Sequence, residues 1–434
     1  MTMIWTLRVV SLVALLSFSS RGADWPQYRG PERSGVSRET GLARAWPESG
    51  PTVTWTLELG RGYGSPAVRG NEVYILDRPT GKPADQREDV LRCLDLDTGK
   101  ELWSFAYAAP GRYSFDGTRS VPTVTDGHVY LVGPFGHAHC VDRKTHKAVW
   151  SVNLLERFGG DVPRWGFVQS PLLDDDVLIV APQGKQGFLV GLDAGTGETR
   201  WASPPLSGRS CYASPVVATL AGVRQVVIAT GGQAARGRHA AVKGTVAAFA
   251  AEDGRLLWTY DGWQCRNPIA DPVPVDTERV FIAGGYGAGA VMLRVVKADG
   301  GLAVEEASRV PGWKGQIQTP ILHDGVIYAN NSGKGGKGGL TCLSLDGKTR
   351  WASSQVENGP VFDRGGVLVA DGLIFAVDVR GSLRMVEANP EEYRELGSVP
   401  LLAGKEIWAP LALSNGRLFL RDLTKMHCVD LRAK

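Results

Sequence analysis

One ten-residue phrase returns down this chain at long intervals, and it limits the fold more than any other feature. Residues 94–103 read LDLDTGKELW, 141–150 VDRKTHKAVW, 192–201 LDAGTGETRW and 249–258 FAAEDGRLLW; residues 343–351, LSLDGKTRW, are one shorter. Each is a short apolar strand, a polar turn and a Trp that opens the next strand. Self-similarity at a fixed period marks a repeat architecture. A second motif precedes the first in each unit: SPAVRGNEVYIL from Ser65, VPTVTDGHVYLV from Val121, SPLLDDDVLIVA from Ser170, SPVVATLAGVRQVVIA from Ser214, DPVPVDTERVFIA from Asp271, TPILHDGVIYAN from Thr319 and APLALSNGRLFL from Ala409. A copy without the Pro starts at Gly365. These read as hairpins, two β-rich strands joined by a Gly, Asp or Asn turn.

Eight units of four short strands predict an all-β fold, an eight-bladed β-propeller of four-stranded antiparallel blades. A β-sandwich array is the main alternative, and it needs no closed ring. The last unit ends at HCVDLRAK without a Trp strand, while TVTWTLELG stands at residues 52–60. Trp55 is therefore expected to supply the missing outer strand of the final blade and to remove an exposed edge. The domain reading is a signal peptide over 1–23, a Pro/Gly-rich extension over 24–51 lying across the propeller, and the propeller over 52–434. In the repeated turn, Asp and Thr side chains bond nearby backbone and Gly accepts positive φ. Trp55, Trp103, Trp150, Trp201, Trp258 and Trp351 are expected to dock between blades, a structural role.

The start, MTMIWTLRVVSLVALLSFSSRGA, has Arg8 before an apolar run and then small residues, as a secretory signal peptide does. The run is short for a membrane span, the competing reading. Losing Arg8 and Arg21 with it leaves the mature chain almost neutral, so nothing draws it to nucleic acid. The six cysteines form no CxxC pair. Cys93, Cys140, Cys342 and Cys428 hold equivalent places in different repeats and read as small buried apolar residues. Cys211 and Cys265 lie in loops entering neighbouring repeats, and an exported compartment permits a disulfide between them.

Several chemical motifs fail on inspection. Asp95-x-Asp97-x-Gly99 resembles a calcium loop, but its twelfth position is Ala106. Gly347-Lys348-Thr349 resembles the end of a phosphate loop, but Cys342 stands where Gly is required. His137 and His139 share a strand face and need a third ligand to hold a metal; no metal site is assigned. The long connections say more. In a propeller they emerge on one face, where function concentrates. They carry Arg112, Arg119, Trp165, Tyr212, Arg266 and Asn267, while Tyr63, Gln169, Gln318 and Trp408 stand just before innermost strands, toward the channel mouth. Aromatic residues with Arg are the composition of recognition surfaces.

LDLDTGKELW and its echoes resemble the tryptophan-docking motif of pyrroloquinoline-quinone (PQQ) dehydrogenases, a repeat that also builds the eight-bladed BamB-type assembly factors of the bacterial outer membrane. The resemblance covers roughly residues 52–434. DWPQYRGPERSGVS, GFVQSPLL, YASPVV and RDLTKMHCVDL are similar to stretches of exported PQQ-like propellers of planctomycete-type bacteria. The resemblance implies the propeller fold and leaves PQQ and Ca²⁺ open as cofactors. The enzymes' paired cysteines under the quinone and their CxxCH haem site are absent, as is the lipid-bearing N-terminal Cys of BamB-type proteins. No residue is assigned as catalytic. The expectation is an exported, periplasmic or secreted protein, soluble and monomeric once its signal is removed, that binds a protein, glycan or small molecule on its long-loop face. The alternatives are a divergent PQQ/Ca²⁺-dependent alcohol or sugar dehydrogenase and an outer-membrane assembly scaffold.

Overall fold

The computed structural model describes residues 23–235, 240–332 and 338–433; apart from Ala23, the leader read over 1–23 lies outside the described residues. Eight sheets follow one another around a central channel, each of four antiparallel strands in chain order. The first blade comprises Ala67–Arg69, Glu72–Asp77, Glu88–Asp95 and Glu101–Ala108. The next six occupy residues 123–153, 172–202, 216–260, 273–310, 321–352 and 367–400. The eighth takes Ala412–Ser414, Arg417–Arg421 and Lys425–Asp430 from the C-terminal end. Its outer strand is Thr52–Glu58, antiparallel to Lys425–Asp430 with Trp55 opposite Cys428. The ring thus closes through the strand that Trp55 marks.

The repeated decapeptide is a joint between blades. Trp55 donates its indole N–H to the Leu96 carbonyl of the first blade at 2.8 Å and lies over Gly99. Gly99 has φ of 67°, and a Cβ there would sit 2.6 Å from the Trp55 ring. Only glycine meets both demands without strain. Trp150 repeats the joint on Ala194 and Gly197, and Trp201 covers Gly254. Trp351 donates to the Asn389 carbonyl. Trp103 instead stacks on His146, which stands in the glycine position at φ of 60°, with ring centroids 4.5 Å apart. Trp258 departs from the pattern and bonds Gln225 of its own blade. The fifth blade has no such Trp, and Val310 covers Gly347 in its place.

The disulfide that an exported compartment would permit is not formed: Cys211 and Cys265 are both free, and all six cysteines are buried. Cys211 packs in the cluster between the third and fourth blades, Cys265 in the one between the fourth and fifth. The fourth blade separates them.

The extension over 24–51, expected to lie across the propeller, runs into the channel. Trp25 exchanges two backbone hydrogen bonds with Val68 of the first blade, and Pro26 accepts from Val124 of the second. Arg29 donates to Thr319 and Pro320 of the sixth blade, and Arg33 to Pro171 of the third. Val36–Ser37 then pairs in parallel with Val369 and Ala370, a fifth strand on the inner edge of the seventh blade. Five inner strands from around the bore are tied to thirteen consecutive residues, so this segment plugs the channel.

Candidate functional site: the channel mouth

The inner strands of the eight blades start in register, and two repeat positions there build the site. The first is the residue that opens the hairpin motif: Ser65, Val121, Ser170, Ser214, Asp271, Thr319, and by strand pairing Gly366 and Pro410. Four side chains at this level link adjacent blades. Ser170 Oγ accepts from the Val121 amide at 3.0 Å, Ser214 Oγ from Ser170 at 3.1 Å, Asp271 Oδ1 from Ser214 at 2.7 Å, and Thr319 Oγ1 from Asp271 at 2.9 Å. Asp271 is the carboxylate in this belt. Burial pushes its acid up to about 6, against the pull of the Arg29 and Arg33 guanidiniums beside it.

The second position lies two residues earlier. In blade order it holds Tyr63, Arg119, Val168 and Tyr212, then Ile269, Ile317, Arg364 and Trp408. All eight line one cavity of about 240 Å³. Phe115, Trp165, Tyr286, Gln316 and Gln318 complete the walls, and Tyr28 of the plug reaches it from below together with Ser170, Ser214 and Asp271.

The walls differ by side. Through the seventh, eighth, first and second blades run four planar groups in contact: Arg364 over Trp408 at 4.9 Å, Trp408 stacked on Tyr63 at 5.3 Å, and Arg119 over Tyr63 at 4.4 Å. The Tyr63 hydroxyl donates to Glu406 at 2.7 Å. Arg119 gives its N–H groups to the Gly117 and Phe115 carbonyls. Arg364 ties Nε to Gln316 Oε1 at 3.0 Å, and Gln318 holds the Arg364 and Trp408 carbonyls. Across the mouth, Val168, Ile269 and Ile317 are aliphatic, and Trp165 meets Tyr212 with centroids 4.7 Å apart.

Six of the ten residues chosen from sequence converge here: Tyr63, Arg119, Trp165, Tyr212, Gln318 and Trp408. Gln169 is buried beneath the mouth, donating to the Ala213 carbonyl. Arg112 and Arg266 are exposed on loops away from the cavity lining, with Asn267 beside Arg266. Arg364, Asp271 and Tyr28 went unselected. Asp271 occupies a repeat position visible in the hairpin alignment, whereas the place of Arg364 follows from the strand pairing of the copy that lacks the Pro. Tyr28 had no such signal, since the extension lies outside the repeat.

A β-propeller closed through its N-terminal strand, with a plugged channel and a mouth lined by one position of every repeat, is the class these features define. The chain belongs to the family described as "Outer membrane protein assembly factor BamB", whose sequence profile matches residues 86–241 and 242–427. It is 22% identical over 387 residues to the outer membrane protein assembly factor BamB of Yersinia pestis, covering 86% of this chain and 76% of that protein. A quinohemoprotein alcohol dehydrogenase of Comamonas testosteroni is 26% identical over 234 residues, 51% of this chain but only 30% of the enzyme. The crystal structure of the quinohemoprotein alcohol dehydrogenase from Comamonas testosteroni superposes with a TM-score of 0.66 at 15% identity, over 95% of this chain and 81% of that one. BamB from Moraxella catarrhalis superposes with a TM-score of 0.56 at 14% identity, over 87% and 99%. These structural likenesses speak for the fold.

Proposed function

We propose that this protein is a binding protein of the cell envelope or exterior, and that its ligand enters the channel mouth. One observation carries the reading: eight equivalent side chains, two of them arginines and three aromatic, converge on a single cavity whose far end the chain itself plugs. A concave site with apolar walls and a few convergent polar groups is the usual form of a ligand pocket. The leader-like residues 1–23 and the relatives named as outer membrane protein assembly factors support an exported location.

The dehydrogenase reading requires a site for PQQ and Ca²⁺. The residues at the mouth do not suit the ion. Calcium takes six to eight oxygen ligands, several of them carboxylate, whereas among the described residues Asp271 is the one carboxylate that lines the cavity, and Arg29 and Arg33 stand beside it. Among the described residues no three His, Cys, Asp or Glu side chains gather as a metal would need. No oxidation step is therefore derived. The assembly-factor reading rests on the family alone, and copurification with envelope proteins separates it from the binding reading.

The test is a titration of the mature protein with PQQ, with and without Ca²⁺, followed by Trp fluorescence and melting temperature. No calcium-dependent change is expected. Saturable quenching with a raised melting temperature that needs Ca²⁺ would move the assignment to a quinoprotein.

A further inference from the structure

The mouth also carries information about the chemistry of its ligand; the argument rests on the binding reading above. The order Arg364, Trp408, Tyr63, Arg119 follows the seventh, eighth, first and second blades, and each ring lies between its two neighbours. The faces of Trp408 and Tyr63 are thus already covered. A flat aromatic ligand finds no free face on that wall. What the stack offers instead is edges, and at one end a guanidinium. Arg364 has its plane held by Trp408 and its Nε held by Gln316, and among the described residues its two terminal nitrogens have no hydrogen-bond partner. Its nearest carboxylate, Asp363, stands 3.9 Å from Nε, the nitrogen already bonded. An arginine fixed in this way presents a pre-oriented fork of N–H donors, which matches the two oxygens of a carboxylate.

The remaining polar groups suit a hydroxylated partner. Ser170, Ser214 and Asp271 form the belt below, with Gln316 and Gln318 at the side. Ser170 and Ser214 each accept one backbone hydrogen bond, which leaves their hydroxyl protons to be donated. Asp271 accepts from the Ser214 amide through Oδ1, is hydrogen-bonded to Thr319, and lines the cavity as its acceptor group. Aliphatic Val168, Ile269 and Ile317 give the opposite wall a surface for C–H groups. A ligand that is cationic would meet Arg119 and Arg364 on the walls and Arg29 and Arg33 behind the floor, a positive excess that a low-dielectric cleft strengthens.

We infer that the cavity binds an acidic sugar, the terminal uronic acid of a glycan, with the carboxylate on Arg364 and the ring hydroxyls on Asp271 and the seryl belt. The cavity of about 240 Å³ is a blind recess, which suits a chain end and not a through-running strand.

The experiment is isothermal titration of the mature protein with trimers of galacturonate, glucuronate and mannuronate. Their methyl esters, an acidic hexapeptide and PQQ serve as the other arms. The expected result is binding of at least one acidic trimer, at least tenfold weaker for its methyl ester and for the Arg364→Gln variant, with an unchanged melting temperature in that variant. The affinity falls as salt is raised. Equal binding of acid and ester removes the carboxylate from the account and keeps the glycan site. Binding of the peptide or PQQ with none of the trimers overturns the sugar inference while the binding reading stands. No binding in any arm overturns the sugar inference and also withdraws support from the mouth as a site. Loss of the fold in Arg364→Gln is answered by Arg364→Lys, which keeps the charge but not the fork and is expected to weaken the acidic trimer without equalising acid and ester.

Discussion

Trp408 stacks on Tyr63 with ring centroids 5.3 Å apart and planes 21° apart, across the seam where the eighth blade meets the first. The two ends of the propeller chain therefore meet twice at this seam. One meeting is structural, the Thr52–Glu58 strand on Lys425–Asp430. The other is the wall of the mouth. Trp408→Ala removes the middle of the four-group stack and frees Arg364. An aromatic pair contributes about 0.5–1.5 kcal/mol beyond its buried area, so a modest stability loss of about 1–2 kcal/mol is expected in urea unfolding. The accompanying loss of ligand affinity is expected to be at least tenfold, as for a central aromatic anchor.

The closing strand makes a stronger demand. Trp55 is only 8% exposed and covers Gly99 on the neighbouring blade. Replacing a buried large aromatic by Ala costs about 3–5 kcal/mol, and Trp55→Ala is expected to fall in that range by urea unfolding. The same change at Trp258, which bonds its own blade through Gln225, leaves the seam between ends intact. Limited proteolysis distinguishes them, with early cleavage near residues 45–60 expected only for Trp55→Ala.

Histidine 139 sets an acid limit. Burial, and then the neighbouring His137, push the His139 pKa down to about 4. An imidazole that is harder to protonate in the fold than in the unfolded chain contributes its full stability above pH 6.5. That contribution is lost as pH falls from 6.5 toward 4, by at most about 3 kcal/mol for a shift of this size. The melting temperature of the wild type is expected to drop across that window. His139→Gln, which keeps a polar partner for Ser151, is expected to flatten the drop.

All six thiols are free and buried, and burial pushes the Cys211 thiol up to about 12 and the Cys265 thiol likewise. Thiolates are the reactive form, so native protein is expected to be inert to a thiol reagent. Denatured protein is expected to yield six equivalents without prior reduction. A yield of four would restore the Cys211–Cys265 bond.

The plug is expected to depend on Arg29. That side chain is 7% exposed and donates to the Arg33, Thr319, Ser34 and Pro320 carbonyls. Arg29→Met leaves those acceptors and Asp271 uncompensated. A hydrogen bond to a charged group contributes about 1.5–3 kcal/mol, and with imperfect additivity a loss of roughly 3–5 kcal/mol is expected in urea unfolding.

The ring was legible because repetition multiplies a weak local signal. A single DTGK turn says little, but its recurrence before a Trp fixes where each third strand ends and each fourth begins. The same register held the site. Tyr63, Arg119, Tyr212 and Trp408 sit two places before the hairpin opener; loop composition points to Arg119 and Tyr212, and position just before an inner strand points to Tyr63 and Trp408. Arg364 sits at the same place, in the unit whose hairpin opens on Gly366 and carries no Pro after it, the one copy in which the motif is weak. Asp271 opens its hairpin where neighbouring units have Ser or Thr, and the exchange of hydroxyl for carboxylate gains meaning only once the belt joins them in space. The plug was illegible for another reason. Trp25, Tyr28, Arg29 and Arg33 belong to no period, and which carbonyls they meet depends on the ring being closed first. The cysteines failed on geometry: adjacent loops in sequence terms are separated by a whole blade in space.

The account stands most directly on the N-terminal segment being a fixed part of the mouth, because it turns an open channel into a blind pocket. Hydrogen–deuterium exchange of the protein measures this in peptides spanning residues 24–37. The Trp25 and Gly35 amides donate to Val68 and Arg29, and Val36–Ser37 is paired with the seventh blade. Protection comparable to that of the inner strands, such as Val367–Ala370, is the predicted result. Exchange of the segment at the rate of a free peptide would leave the channel open and contradict the account.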